Sequence, residues 1–81
     1  MSVSEKVRQF ITTNFYVADP SALEDSTSFL DRGIIDSTGV LEVVSFIEGE
    51  FDVRVEDAEM IPENLDSIGA IVAFVARKKG G

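Results

Sequence analysis

A chain of 81 residues has room for one modest core, worth at most about 5 kcal/mol of net stability, and little room for a large substrate cleft. Apolar residues make up 44% of it, more than a disordered chain carries, so a folded domain is expected despite a formal charge of -8. That charge repels nucleic acid and favours partners with basic surfaces, while the absence of Cys and His removes disulfides, thiolate metal sites and the commonest general base, arguing against an enzyme.

The N-terminus, Met1 to Lys6, lacks the basic flank and apolar run of a signal peptide, and no stretch is long enough for a membrane span. A cytoplasmic protein that does not insert into membranes is expected. From Val3 to Phe15 the apolar residues Val3, Val7, Phe10, Ile11 and Phe15 recur at spacings of three and four, which predicts a helix with one buried stripe. Ser2 followed by Glu5 reads as its capping box.

Between Tyr16 and Asp36 the periodicity fades, and Asp19-Pro20, Asp25-Ser26 and Arg32-Gly33 supply turn signals. A long loop is expected, with room for a short helical turn, pinned by Leu23, Phe29, Leu30 and Ile34. The second helix is predicted over Ser37 to Phe51, with Asp36 as N-cap and a core stripe of Val40, Val43, Val44, Ile47 and Phe51. Its opposite stripe of Thr38, Leu41, Glu42, Ser45, Glu48 and Asp52 is polar and acidic apart from Leu41.

Phe51 to Val55 alternates like a strand, but with no partner strand it reads as an extended connector. Glu56 to Met60 and Pro62 to Leu65 each suit a short helical turn, and the sequence leaves open which of them is a third helix. A last helix is predicted from Ser67, burying Ile68, Ile71, Val72 and Val75, with Arg77, Lys78 and Lys79 at its C-terminal end and Gly80-Gly81 terminating it. The sum is one all-α domain over residues 1–81, a small bundle of three main helices and one short one, with a long loop between the first two.

The chemistry concentrates in Phe29-Leu-Asp-Arg-Gly-Ile-Ile-Asp-Ser-Thr-Gly39, which brings the Ser37 hydroxyl to the first turn of an acidic helix. Unpaired N–H groups and the positive end of the helix dipole suit a phosphate ester on that oxygen. Asp36-Ser37-Thr38-Gly39, followed by Val40 and the Glu48-Gly-Glu-Phe51 helix ending, together with Phe29 upstream and the overall length, resembles the phosphopantetheine site of acyl carrier proteins. The resemblance covers essentially the whole chain and meets two positions of the family's usual Asp-Ser-Leu.

It implies a 4'-phosphopantetheine arm moved from coenzyme A onto Ser37 by a phosphopantetheinyl transferase, with Asp36 positioning the helix start and the transferase chemistry. The arm's thiol then carries acyl or aminoacyl groups as thioesters, so the reactive sulfur belongs to the cofactor and the catalytic groups to partner enzymes. Those partners are an acyl-activating ligase and acyltransferases with basic docking patches, met by a monomeric carrier through Thr38, Leu41, Glu42, Ser45 and Glu48, with Leu41 as the apolar centre. Thr38 stands where fatty-acid carriers usually have leucine, which points to different partners and a specialised pathway. The two residues between Gly33 and Asp36, where fatty-acid carriers usually have one, resemble D-alanyl carriers and other stand-alone bacterial carriers loaded by an adenylating ligase. A Gly-Gly-His-Ser pattern of peptidyl carriers is absent.

Competing readings are weaker. Asp-Ser pairs also occur at Asp25-Ser26, in the loop, and at Asp66-Ser67, where an apolar helix with a basic end follows and Ser67 reads as a cap. Phe10, Phe15, Phe29, Phe51 and Phe74 read as core, while Phe46, at the edge of the second helix's stripe, is expected to narrow a cavity for a long acyl chain. Gly80-Gly81 is similar to the tail of ubiquitin-like modifiers, but the strands of that fold are missing, and no calcium-loop pattern is present. The alternative from another class is a small acidic helical adaptor that binds basic partners without a prosthetic group.

Overall fold

The computed structural model describes residues 2–80. Four α-helices follow one another: α1 Val3–Asn14, α2 Ser37–Phe51, α3 Pro62–Leu65 and α4 Ile68–Gly80. Two 3-10 turns, Pro20–Ala22 and Asp57–Glu59, interrupt the connections, and there is no strand among the described residues. The all-α bundle with a short third helix is therefore observed. Both turn-forming stretches after α2 are ordered, and the α-helical one is Pro62–Leu65, opened by a proline whose fixed φ suits the first turn.

Local signals set most helix ends. The Ser2 hydroxyl accepts from the Glu5 amide at 3.1 Å and donates to the Glu5 carboxylate at 3.2 Å, so the box closes through the hydroxyl. Asp52 ends α2 in the left-handed region at φ 55°, a conformation that a short polar side chain tolerates, and the chain leaves extended through Val55. Ser67 caps α4 by accepting from the Ala70 amide at 3.0 Å. Gly80 is still helical, contrary to the expected stop, and Gly81 lies outside the described residues.

The core joins every helix, with Val7 and Ile11 from α1, Val43, Val44, Ile47 and Phe51 from α2, Leu65 from α3, and Ile68, Ile71, Phe74 and Val75 from α4. Val40 and Val72, expected inside, are half-buried, as are Val3, Phe10 and Phe15 at the margin of the core. In the long loop Leu23 and Phe29 are buried as expected, but the other two pins differ: Leu30 is 47% exposed and Ile34 half-buried, while Ile35 is buried at 4%. The loop is fastened from both sides. Arg8 donates to the Leu23 carbonyl and, at 3.0 Å, to the Asp25 carboxylate, and the Asp25 carbonyl accepts from the Gly69 amide at 2.8 Å.

Candidate functional site

The approach to α2 is built by a tight turn. The Arg32 amide donates to the Ser28 carbonyl and the Ile34 amide to the Phe29 carbonyl, and Gly33 sits at φ 68°, where a side chain would strain the backbone. The chain is thereby turned so that Ile35 points inward and Asp36 becomes the N-cap, its Oδ1 accepting from the Gly39 amide at 2.8 Å. Gly39 is buried, and a Cβ there would lie 2.9 Å from both the Ile35 Cγ2 and the Phe15 Cε1. The first turn of α2 is thus pressed directly onto the end of α1, and Ser37 projects from it into solvent.

Beside Ser37 lies an open groove of about 370 Å³. It is lined by Val40 and Leu41 of α2, by Leu30 of the loop, and by Met60, Ile61 and Leu65 from α3 and the connector before it. Its polar side chains are those of Ser37, at the rim, and Asp66. Nothing local along the chain marks this groove, because Leu30, Met60 and Ile61 belong to no periodic stripe. Leu41 and Ile61 leave 58% and 41% of their surface exposed, so the apolar lining continues onto the outside of the molecule.

The residues expected on a partner face differ in exposure. Thr38, Leu41, Glu42 and Ser45 are exposed along α2, in line with Ser37. Glu48 is half-buried and its Oε2 accepts from the Val55 amide at 2.9 Å, so it holds the connector after α2. Phe46 is remote from the groove. Its ring stacks on Phe10 with centroids 4.1 Å apart and meets Phe51 edge-on, closing the outer seam between α1 and α2, so it does not narrow a space near Ser37. The two competing serines are also placed: Ser67 is half-buried with its hydroxyl in the α4 cap, and Ser26 is exposed in a loop turn with no helix behind it.

Asp66 is the residue that the sequence concealed. Read as part of a cap sequence, it instead reaches back to the loop: its Oδ1 accepts from the Leu30 amide at 2.9 Å, its Oδ2 from the Ser28 hydroxyl, and its carbonyl from the Phe29 amide at 2.8 Å. The Ser-Phe-Leu turn offered no sign that its partner would lie more than thirty positions away.

No group of Asp and Glu among the described residues is arranged to hold a metal ion, and no helix among them is long and apolar enough to cross a membrane. A family model described as a phosphopantetheine attachment site matches residues 5–75. The chain is 36% identical to an acyl carrier protein of Streptococcus thermophilus, with 96% of this chain and 97% of that protein covered. It is 34% identical to an acyl carrier protein of Solidesulfovibrio magneticus, with 99% of each covered. It is 27% identical to a probable acyl carrier protein, PigG, of a Serratia species, over 95% of this chain and 88% of the relative.

Proposed function

This chain belongs to the acyl carrier family of phosphopantetheine-attachment proteins, and from that membership we propose that Ser37 bears the arm and that the protein ferries acyl groups in a specialised biosynthetic pathway. Members of the family are carriers rather than catalysts, carry 4'-phosphopantetheine covalently, and work with phosphopantetheinyl transferases and acyl-processing enzymes. When bound, the group supplies a terminal thiol that holds acyl groups as thioesters.

The residues fit that group. The observation that carries the assignment is that Ser37 stands exposed on the first turn of a fifteen-residue helix, where the leading amides have no intrahelical partner and the dipole favours a phosphate ester. Asp36 holds that turn through the Gly39 amide, so the attachment oxygen sits on a fixed platform. In the transfer, the bond from Ser37 Oγ to phosphorus forms as the pyrophosphate bridge of coenzyme A breaks; adenosine bisphosphate leaves and the hydroxyl proton passes to the transferase. The groove beside Ser37 offers an acyl chain an apolar wall.

Partner choice is read from the exposed face of α2. Thr38, Glu42 and Ser45 around Leu41 suit a basic patch with an apolar centre, and Thr38 in place of leucine is what points away from fatty-acid synthesis. On this reading residues 1–81 form one carrier domain, acting as a monomer in the cytoplasm and loaded by an acyl-activating ligase.

Intact mass after incubation with coenzyme A and a broad-specificity transferase tests the site. A gain of one phosphopantetheine is expected for the parent chain and none for Ser37→Ala, with helical circular dichroism unchanged because the side chain is exposed. A gain in Ser37→Ala would move the site elsewhere. No gain in a parent chain first shown to be unmodified would return the acidic-adaptor reading.

A further inference from the structure

We propose that Asp66 is a clasp that positions the Leu30 wall of the groove beside Ser37, and thereby sets how well an acyl chain tethered there is shielded from water. The inference rests on the reading of Ser37 as the attachment site and adds a residue that neither the attachment motif nor the exposed face of α2 contains.

Three contacts converge from Asp66 onto one short turn. Both carboxylate oxygens are engaged, Oδ1 by the Leu30 amide at 2.9 Å and Oδ2 by the Ser28 hydroxyl, while the backbone carbonyl takes the Phe29 amide at 2.8 Å. The Ser28 hydroxyl in turn accepts from the Asp31 amide at 3.2 Å, which carries the carboxylate's hold into the start of the turn. Phe29 is 1% exposed and would keep its place by burial, but Leu30 is 47% exposed and has no comparable packing to hold it. Its position over the groove therefore depends on its amide being held from the α3–α4 junction. Asp66 follows Leu65, and both line the same groove as Leu30, so the clasp ties the loop's part of the lining to the part supplied by the end of α3. A hydrogen bond to a charged acceptor is stronger than one between neutral groups, which suits a restraint on an exposed loop.

Two variants separate positioning from mere folding. In Asp66→Ala the unmodified protein should exchange its Leu30 amide about tenfold faster or more, while the Ile47 and Ile71 amides of the core keep their rates. Asp66→Asn retains a carbonyl oxygen for the Leu30 amide and an NH2 for the Ser28 oxygen, and should restore slow exchange at Leu30. In a second arm each protein is loaded with octanoyl-phosphopantetheine, and its cleavage by hydroxylamine is compared with that of free octanoyl-pantetheine. The parent and Asp66→Asn should be cleaved more slowly than the free thioester, and Asp66→Ala as fast as the free thioester. An unchanged Leu30 amide in Asp66→Ala, core amides that accelerate equally, or a faster Leu30 amide with shielding intact would each overturn the proposal. A parent chain that accepts no arm overturns the Ser37 reading alone, which the mass spectrum shows first, and the exchange arm then decides the clasp.

Discussion

At the scale of single residues, what distinguishes Ser37 from the other Asp-Ser serines is the state of its hydroxyl. The Ser67 oxygen is committed to the Ala70 amide, whereas the Ser37 oxygen makes no hydrogen bond among the described residues and is open to a partner enzyme. Leu41, one turn on, is the large apolar side chain on the same exposed face, and at 58% exposure its removal costs the fold little. Leu41→Ala should therefore change the urea midpoint of unfolding by less than about 0.5 kcal/mol in stability terms. Titration with the cognate transferase should nevertheless show binding weakened by about 1 kcal/mol or more, as for a buried apolar contact at the middle of an interface. Equal binding by both proteins would remove Leu41 from the docking face.

Helix α2 shows how one element reconciles two demands. It must start at a fixed place for Ser37 to be presented, and its two glycines differ in what they contribute to that. Gly39 lets the helix touch Ile35 and Phe15, and a methyl group there would collide with both at 2.9 Å. Gly49 faces open space, with nothing within 4 Å of a Cβ placed there. Gly39→Ala should lower stability by about 1–3 kcal/mol through overpacking, partly offset by better helix propensity. Gly49→Ala should raise it by roughly 0.5–1 kcal/mol, since only the propensity changes. Chemical denaturation of the pair, both in the same helix, checks the assignment; stabilisation by both would mean that the α1–α2 contact is loose enough to yield.

For the molecule as a whole, the basic end of α4 does more than offset the helix dipole. Arg77 donates to the Asn64 side chain at 2.7 Å, Lys78 to the Glu59 carboxylate at 2.9 Å and Lys79 to the Phe51 carbonyl at 2.9 Å, so three cations fasten α4 to α3, to the connector before it and to the end of α2. The Glu56 amide, and then Lys78, hold the Glu59 carboxyl below the usual carboxylate range. A depressed folded-state pKa contributes stability above the unfolded value, and that contribution is lost as pH falls through the folded one. The difference in melting temperature between the parent and Glu59→Gln should accordingly be present at neutral pH and disappear in the acid range, below the usual carboxylate pKa. A difference that persists at the lowest pH would mean that packing, and not ionisation, sets the effect.

The features legible in the sequence were those governed by neighbours along the chain. The 3.6-residue stripes and the caps at Ser2, Asp36 and Ser67 placed α1, α2 and α4 almost to the residue, because capping and periodicity act within one turn. The exposed place of Ser37 on the first turn of α2 followed from the same local rules. The tertiary structure decided what depends on distant partners: that Ile35 and not Leu30 enters the core, that Phe46 closes the α1–α2 seam, that Glu48 turns back to Val55, and that Pro62–Leu65 is the third helix. The groove and its clasp belong to this second group. Asp66 meets Leu30 and Ser28 across 36 and 38 positions, and no local propensity encodes a hydrogen bond whose two ends are brought together only when the core closes.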